Sequence, residues 1–155
     1  TSAKGSERPA SCVNFASITR RLRSLPSWRR RPSDERRALG RRGERAAARH
    51  LKRHRYRILA RNYRSVAGEI DLIASQRETI VFVEVKTRSS TDPENDESPV
   101  RGFQQRRIER AARFFMLQRG AHNRPYRFDI VTVVLSPDGE PQIEHRENAF
   151  GPALA

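Results

Sequence analysis

Two stretches of β-type sequence decide the fold: GEIDLI at residues 68–73 and VFVEVK at residues 81–86. Each is rich in branched apolar residues, and a short polar break separates them, so they predict two antiparallel strands joined by a turn. Side chains of a strand alternate between the two faces of a sheet. Glu84 and Lys86 are therefore expected to share one face, and the valines around them point to the other.

The register of this hairpin follows from placing Asp71 opposite Glu84. This choice sets the remaining pairs and the turn: Ile73 with Phe82, Ser75 with Ile80, and a turn at residues 76–79. Two carboxylates whose Cβ atoms lie roughly 4.5–5.5 Å apart destabilise a sheet unless a cation lies between them. The hairpin therefore predicts a bound metal ion with Lys86 beside it.

The chemistry of these groups indicates a hydrolytic site. Asp71 and Glu84 offer hard oxygen ligands, which suit Mg²⁺ or Mn²⁺. A divalent ion can polarise a phosphoryl oxygen and lower the pKa of a bound water. Lys86 could orient that water or stabilise the charge of the transition state. These are the parts needed to hydrolyse a phosphodiester bond.

Three further residues are candidates around this site. Glu44 points near the apolar stripe of the first predicted helix, where spacing supports a metal ligand and a salt bridge to an arginine equally. Glu69 shares a strand face with Asp71 and is a candidate for the outer shell of the metal. Asp129 could pair with Arg127, or it could support the metal site as a second-shell residue.

The charge of the chain indicates a polyanion as partner. The 155 residues carry a formal net charge of +14, and the basic excess lies in the first 60 residues. An arginine-rich surface that only aids solubility is the alternative, but nucleic acid is favoured because the acidic site has its own reason to meet phosphates. The predicted phosphate-binding residues lie on two helices: Arg41, Arg42 and Arg45 on the first, and Arg106, Arg110 and Arg113 on the second.

Composition also sets the expected compartment. Cys12 is the single cysteine, so the chain can form neither an internal disulfide nor a thiolate zinc site. No apolar run approaches the ~20 residues needed to span a bilayer, and no signal-peptide pattern follows the basic start. We expect a cytoplasmic protein without a membrane partner.

Two regions differ in composition. Residues 1–33 are rich in arginine, serine and proline and predict a disordered basic extension, either an arm for nucleic acid or an organellar transit peptide. Residues 34–155 predict one folded domain.

The pattern of the folded domain predicts two helices and five strands. A helix starts near Ser33 as N-cap, followed by Asp34 and Glu35. The expected elements are a helix to about 54, a strand at 56–64, the hairpin at 68–86 around its turn at 76–79, a polar loop at 88–99, a helix at 100–119, and strands at 127–135 and 141–146 around a turn at 137–139. The order α-β-β-β-α-β-β predicts an α/β fold, a mixed sheet flanked by helices. The helical crossover permits a parallel pair of the third and fourth strands.

Several motifs together resemble a known family. They are GRRGERAA (40–47), RNYR (61–64), GEIDLIA (68–74), VFVEVKTR (81–88), QRRIERAA (105–112) and RFDIV (127–131). This combination resembles the YraN-like family of small bacterial proteins, which are similar to Holliday-junction resolvases and to the PD-(D/E)XK nuclease superfamily. The resemblance covers residues 34 to 155 and leaves out the extension.

The resemblance implies a restriction-endonuclease-like fold and a Mg-dependent endodeoxyribonuclease, with branched DNA among its expected substrates. It implies catalytic roles for Glu44, Asp71, Glu84 and Lys86, with the first three as metal ligands together with the main-chain carbonyl of Val85. Many relatives carry lysine where this sequence has Gln104. Because resolvases act as symmetric dimers, a homodimer is a further expectation. The alternatives are a non-catalytic nucleic-acid-binding protein on the same fold and an RNA-associated assembly protein.

Overall fold

A computed structural model describes residues 32–90, 102–137 and 139–151 of the chain. The predicted basic extension, apart from its last two residues, lies outside the described residues, as do most of the predicted loop at 88–99 and the middle residue of the turn at 137–139. The elements in chain order are α1 (Pro32–Arg53), β1 (Arg57–Ser65), β2 (Gly68–Gln76), β3 (Thr79–Ser89), α2 (Gly102–Gln118), β4 (Tyr126–Leu135) and β5 (Gln142–Phe150).

The strands form one five-stranded sheet in the order β1-β2-β3-β4-β5. Of these neighbours only β3 and β4 are parallel, and α2 lies between them in the chain; the other neighbouring strands are antiparallel. The predicted α/β class, order of elements and parallel pair are therefore confirmed. No helix among the described residues is long and apolar enough to cross a membrane.

The two helices cover opposite faces of the sheet, because strand residues alternate between two separate cores. The core under α2 contains Ile73, Phe82, Ile108, Phe115 and Phe128. The core under α1 contains Ala47, Leu51, Leu72, Val83 and Val133. All of these side chains are buried, and burying a Leu, Ile, Val or Phe side chain stabilises the fold by roughly 1.5–3 kcal/mol.

The β2–β3 hairpin has the register that the sequence predicts. Ile73 pairs with Phe82 and Ser75 with Ile80, and the last pair before the turn is Gln76 with Thr79. The predicted turn is tight because Arg77, with φ of 53°, adopts the left-handed conformation typical of two-residue hairpin loops.

Two predicted boundaries are wrong. Helix α1 begins at Pro32, so Ser33 lies within its first turn instead of capping it. Proline suits the first helical position, because its fixed φ is helical and its missing N–H would have had no partner there. Strand β5 continues to Phe150, which pairs with Phe128 beyond an irregularity in the ladder, and Asn148 absorbs the distortion at a positive φ of 49°.

Helix α1 and strand β3 approach so closely at one point that only glycine fits. A Cβ added to Gly43 would overlap the Oγ1 and Cβ atoms of Thr87. Gly40, three residues earlier on the same helix, has nothing within 4 Å of the same position. This contact fixes the depth of α1 on the sheet and thereby the position of Glu44, the next residue.

The first testable prediction concerns this contact. Gly→Ala within a helix normally stabilises by about 1 kcal/mol. At Gly43 we expect the opposite, a loss of roughly 1–3 kcal/mol in the free energy of unfolding, because Thr87 and the backbone must move apart. Gly40→Ala is the matched control and should stabilise the protein. Urea denaturation measures both; a stabilised Gly43→Ala variant would show that the contact is loose.

Candidate active site

Asp71 lies at the point where β2 and β3 separate. The last regular pair before it is Leu72 with Val83. The Oδ2 atom of Asp71 accepts a hydrogen bond of 2.8 Å from the backbone N–H of Val85. The side chain thus takes the role of a main-chain acceptor between the two strands, and this bond holds it against β3 beside Glu84.

The electrostatic environment of Asp71 is strongly perturbed. Burial, followed by repulsion from Glu84 and then from Glu44, raises the pKa of Asp71 to about 7, while the Val85 N–H and Lys86 oppose the rise. The charges of three carboxylates therefore act on one another here. A cation among them would relieve the repulsion, as the sequence predicts.

Glu84 is the centre of a hydrogen-bonded group on the α2 side of the sheet. Its side chain is buried, and its Oε1 atom accepts a hydrogen bond from Gln104 Nε2 at 2.5 Å and lies 3.0 Å from Lys86 Nζ. Lys86 Nζ also donates to Gln104 Oε1 at 3.2 Å. Gln104, in the first turn of α2, therefore fixes both groups of the E-x-K pair.

Glu44 comes to the same region from α1, the helix on the other face. It is half-buried, and its charge contributes to the raised pKa of Asp71. Among the residues described, no arginine forms an ion pair with Glu44. Of the two roles that spacing left open, the structure favours a place beside Asp71.

Two predicted supporting residues lie elsewhere. Glu69 is exposed and pairs with Arg64 at 3.6 Å, next to the turn between β1 and β2, so it does not reach the carboxylates. Asp129 is fully buried and binds Arg127 Nε at 2.9 Å, His145 Nε2 at 2.9 Å and the N–H of Asn148 at 2.9 Å. The arginine-pair role of Asp129 is confirmed, and none of these contacts supports a metal-supporting role.

The other members of the Asp129 cluster, Tyr56, His145 and Glu147, were missed in the sequence because they are far from Asp129 in the chain. Tyr56 connects to it through Arg127 Nη2 at 2.8 Å and donates to Glu147 at 2.6 Å. Although burial opposes it, hydrogen bonds from His145 and Arg127 hold the pKa of Asp129 below its ordinary value. The cluster is internally satisfied and fastens β4 to β5.

The donor set limits which metal could bind. In the part of the chain that the structure describes, no three His, Cys, Asp or Glu side chains are grouped so that they could hold a metal ion by themselves. Asp71 and Glu84 lie in adjacent strands, and the charge of Glu44 acts on Asp71 from α1. Mg²⁺ keeps several waters and is commonly held by one or two carboxylates plus substrate phosphates. These oxygen donors fit such an ion and do not form a closed structural metal site.

The predicted phosphate-binding arginines are all exposed, but they fall into two groups on opposite faces of the sheet. On α2, Arg106 is two residues after Gln104 and points to a different side of the helix, and Arg110 and Arg113 follow at about one and two further turns. On α1, Arg42 and Arg45 line a cavity against the turn between β4 and β5. Helical geometry places them on the flank of α1 that points away from Glu44.

Comparison with known proteins gives the family. The model of the uncharacterised protein family UPF0102 matches residues 43–133. The chain belongs to this family. The UPF0102 match spans the carboxylate site, the second half of α1 and all of α2, and the resemblance to YraN-like proteins is confirmed as family membership.

Individual UPF0102 proteins are similar over most of their length. The chain is 44% identical over 113 residues to a UPF0102 protein of Geobacter metallireducens, covering 73% of this chain and 92% of that one. It is 43% identical over 114 residues to one of Symbiobacterium thermophilum, with 74% and 97% covered. It is 42% identical over 113 residues to one of Rhodococcus jostii, with 73% and 96% covered.

Proposed function

We propose that this UPF0102 protein is a metal-dependent endonuclease that hydrolyses phosphodiester bonds in DNA. One observation carries the proposal: Asp71, a half-buried aspartate whose pKa is raised to about 7, is subject to the charges of Glu84 and Glu44, and Lys86 is bound to Glu84. Strongly perturbed carboxylates beside a specific cation are typical of functional sites. Destabilising repulsion of this kind is readily explained if a cation and phosphate complete the site.

Mg²⁺ or Mn²⁺ is the proposed cofactor. Asp71 and Glu84 would hold it, with Glu44 and the main-chain carbonyl of Val85 as further donors. When bound, the ion would polarise a phosphoryl oxygen and make water a better nucleophile at neutral pH.

The side chains of the chain itself have separate roles in this proposal. The Val85 N–H fixes the orientation of Asp71. Gln104 holds Lys86 at the edge of the site, where the side chain is 33% exposed and can meet both solvent and a phosphate. The Lys86 ammonium would stabilise negative charge that builds on the phosphoryl oxygens in the transition state. Arg106, two residues after Gln104 on α2, would bind a neighbouring phosphate.

The proposed substrate form follows from the family resemblance. The resemblance of the sequence motifs to those of Holliday-junction resolvases and of the wider PD-(D/E)XK superfamily supports branched DNA as substrate, and the composition of the chain supports a cytoplasmic location. A four-way junction needs two matched cuts, which a symmetric homodimer would supply.

A second candidate is a nucleic-acid-binding protein without turnover. It is favoured by the closed contacts of Glu84, whose Oε1 already meets both Gln104 and Lys86, and by the lack of a three-ligand group among the described residues. In that case Asp71 would keep its proton near neutral pH and serve only to join β2 to β3.

The two candidates are distinguished by one assay. Purified protein is incubated with linear duplex, single-stranded and four-way-junction DNA, each with Mg²⁺, Mn²⁺ or chelator. The nuclease proposal predicts cleavage that requires the metal and is strongest on the junction. Binding of every substrate without cleavage in either metal would establish the non-catalytic candidate instead.

A further inference from the structure

A row of arginines follows one flank of α1 that the carboxylate site does not use. The members are Arg42, Arg45, Arg49 and Arg53, at steps of three, four and four residues. Such steps keep side chains on one side of a helix, and eleven residues span about 16 Å along its axis. All four side chains are exposed. This flank therefore presents a line of positive charge.

Two adjoining cavities lie beside this row and form what we call the α1 groove. The first, of about 360 Å³, is lined by Arg42, Arg45 and Arg49. The second, of about 380 Å³, is lined by Arg49, His50 and Arg53. Both share Ala46 and Arg49 on α1 and Glu140 and Pro141 on the opposite wall. They are therefore continuous, and the arginines border them along their whole length.

The charge of the α1 groove is not neutralised within the described part of the chain. No ion pair there joins any of the four arginines to a carboxylate. Glu140 is the single acidic residue of the lining. Burial, then His54, His145 and Arg53, lower the pKa of His50, so the positive charge at neutral pH comes from the arginines.

The wall near His50 is rigidly supported. The His50 ring lies 6.0 Å from the ring of His145, edge to face. His145 is fixed in turn by its 2.9 Å bond to the buried Asp129. The α1 groove is thus a formed feature of the fold, and its charge does not depend on a movement of the sheet.

We infer that the α1 groove binds the backbone phosphates of a nucleic-acid strand at a place separate from the carboxylates. Guanidinium groups suit phosphate because their N–H donors form paired hydrogen bonds with its oxygens. A row repeated at each helical turn fits a partner with regularly repeated phosphates better than a single small anion. The inference deepens the proposed function and rests on it only for the class of partner.

The α1 groove meets the sheet at the ends of β3 and β4. Leu135, at the end of β4, lines the groove and pairs with Ser89 at the end of β3. Glu84 and Lys86 lie earlier on β3. Their side chains face α2, so the α1 groove and the Glu84 group lie on opposite sides of the sheet.

The test compares two double variants of the full chain in chelator, so that no cleavage occurs. Arg49→Gln with Arg53→Gln removes two charges from the α1 groove. Arg61→Gln with Arg77→Gln removes two equally exposed charges from β1 and the β2–β3 turn. Fluorescence anisotropy with a labelled single strand of about 20 nucleotides, its duplex and the matching RNA gives Kd between about 50 and 250 mM salt.

We expect the groove variant to bind about tenfold more weakly and the magnitude of its log–log salt slope to fall by between ~1.4 and ~1.8, the value for two lost phosphate contacts. The control should bind within about twofold of the wild type. Glu140→Gln should bind more tightly than the wild type. The inference would be overturned if the groove variant bound like the wild type, or if the control lost as much affinity as the groove variant. A greater loss of affinity for RNA than for DNA would support the inference and identify the bound strand as RNA.

Failure of the proposed nuclease would look different. If the wild type cuts no substrate but the groove variant still loses affinity, the result supports the nucleic-acid-binding groove and contradicts the proposed nuclease activity. If the wild type cuts DNA, the groove variant should need about tenfold more DNA than the wild type for half-maximal cleavage, in line with its weaker binding.

Discussion

Replacing Glu84 with glutamine is expected to lower metal-dependent DNA cleavage by about 10³-fold or more, because a ligand to a catalytic metal contributes several kcal/mol to the transition state. The substitution is nearly isosteric. The Oε1 atom of the new amide can still accept from Gln104 and Lys86, so those contacts and the fold should persist. Single-turnover cleavage with saturating Mg²⁺ measures the effect.

Glu144→Gln is the matched control for this experiment. Glu144 is on β5 with a side chain 68% exposed, and its contact is with Arg146 at 3.4 Å. The same loss of one negative charge there should leave cleavage unchanged. Anisotropy in chelator should show that Glu84→Gln still binds DNA. Cleavage by Glu84→Gln within about threefold of the wild type would exclude Glu84 as a metal ligand.

Replacing Asp71 with asparagine should have a large effect on the free energy of unfolding of the metal-free protein, and this effect should change with pH. The folded state binds the Asp71 proton more tightly than the unfolded state does, with a pKa of about 7 against an ordinary 3.8. The stability of the metal-free wild type should therefore fall as pH rises between these two values. The asparagine variant would have no such titration, although its side-chain carbonyl could still accept from the Val85 N–H.

Thermal unfolding in chelator at pH 4 to 8 tests this expectation. The Tm of Asp71→Asn relative to the wild type should increase with pH, by about ten degrees or more in total, because each unit of pKa difference is worth about 1.4 kcal/mol. Asp34→Asn, at an exposed position in the first turn of α1, is the control. Its Tm should change with pH in the same way as the Tm of the wild type. If the Tm of Asp71→Asn also ran parallel to that of the wild type across this pH range, the pKa of Asp71 in the wild type would not be raised.

The same variant reports on metal binding. At pH 8, Mg²⁺ or Mn²⁺ at about 100 times its Kd should stabilise the wild type by about 2.7 kcal/mol. Asp71→Asn should show little of this shift, since it lacks a charged ligand. An equal metal-induced shift in both proteins would place the ion elsewhere.

The hairpin could be predicted because its signals are local. Alternating apolar residues fix which face each side chain takes, and a short break fixes the register, so the Ile73–Phe82 pair follows from the sequence. The convergence of Asp71 and Glu84 follows from that register. The crossover helix and the parallel β3–β4 pair follow from the order of elements.

Other features depend on tertiary contacts that spacing does not contain. The sequence identifies Gln104 but does not show that it holds both Glu84 and Lys86, because the position of α2 on the sheet decides this. The sequence predicts on which side of α1 Arg42 lies, but it does not predict which strand packs against that side. Asp129 finds His145 only because β4 pairs with β5 across an irregular ladder.

The strand order also bears on how the site assembles during folding. Because the sheet keeps the order of the chain, the two acidic strand residues come together through a local hairpin, and such hairpins form within about 1–10 µs. The parallel β3–β4 pair must wait for a long loop to close, and contacts of high sequence separation form slowly. Asp71 and Glu84 are therefore expected to come together early in folding, although they repel each other. Gln104 reaches them later, when α2 and the parallel β3–β4 pair form. If Asp71 and Glu84 hold a cation as proposed, a nascent chain that has formed only the hairpin would already carry two of its ligands.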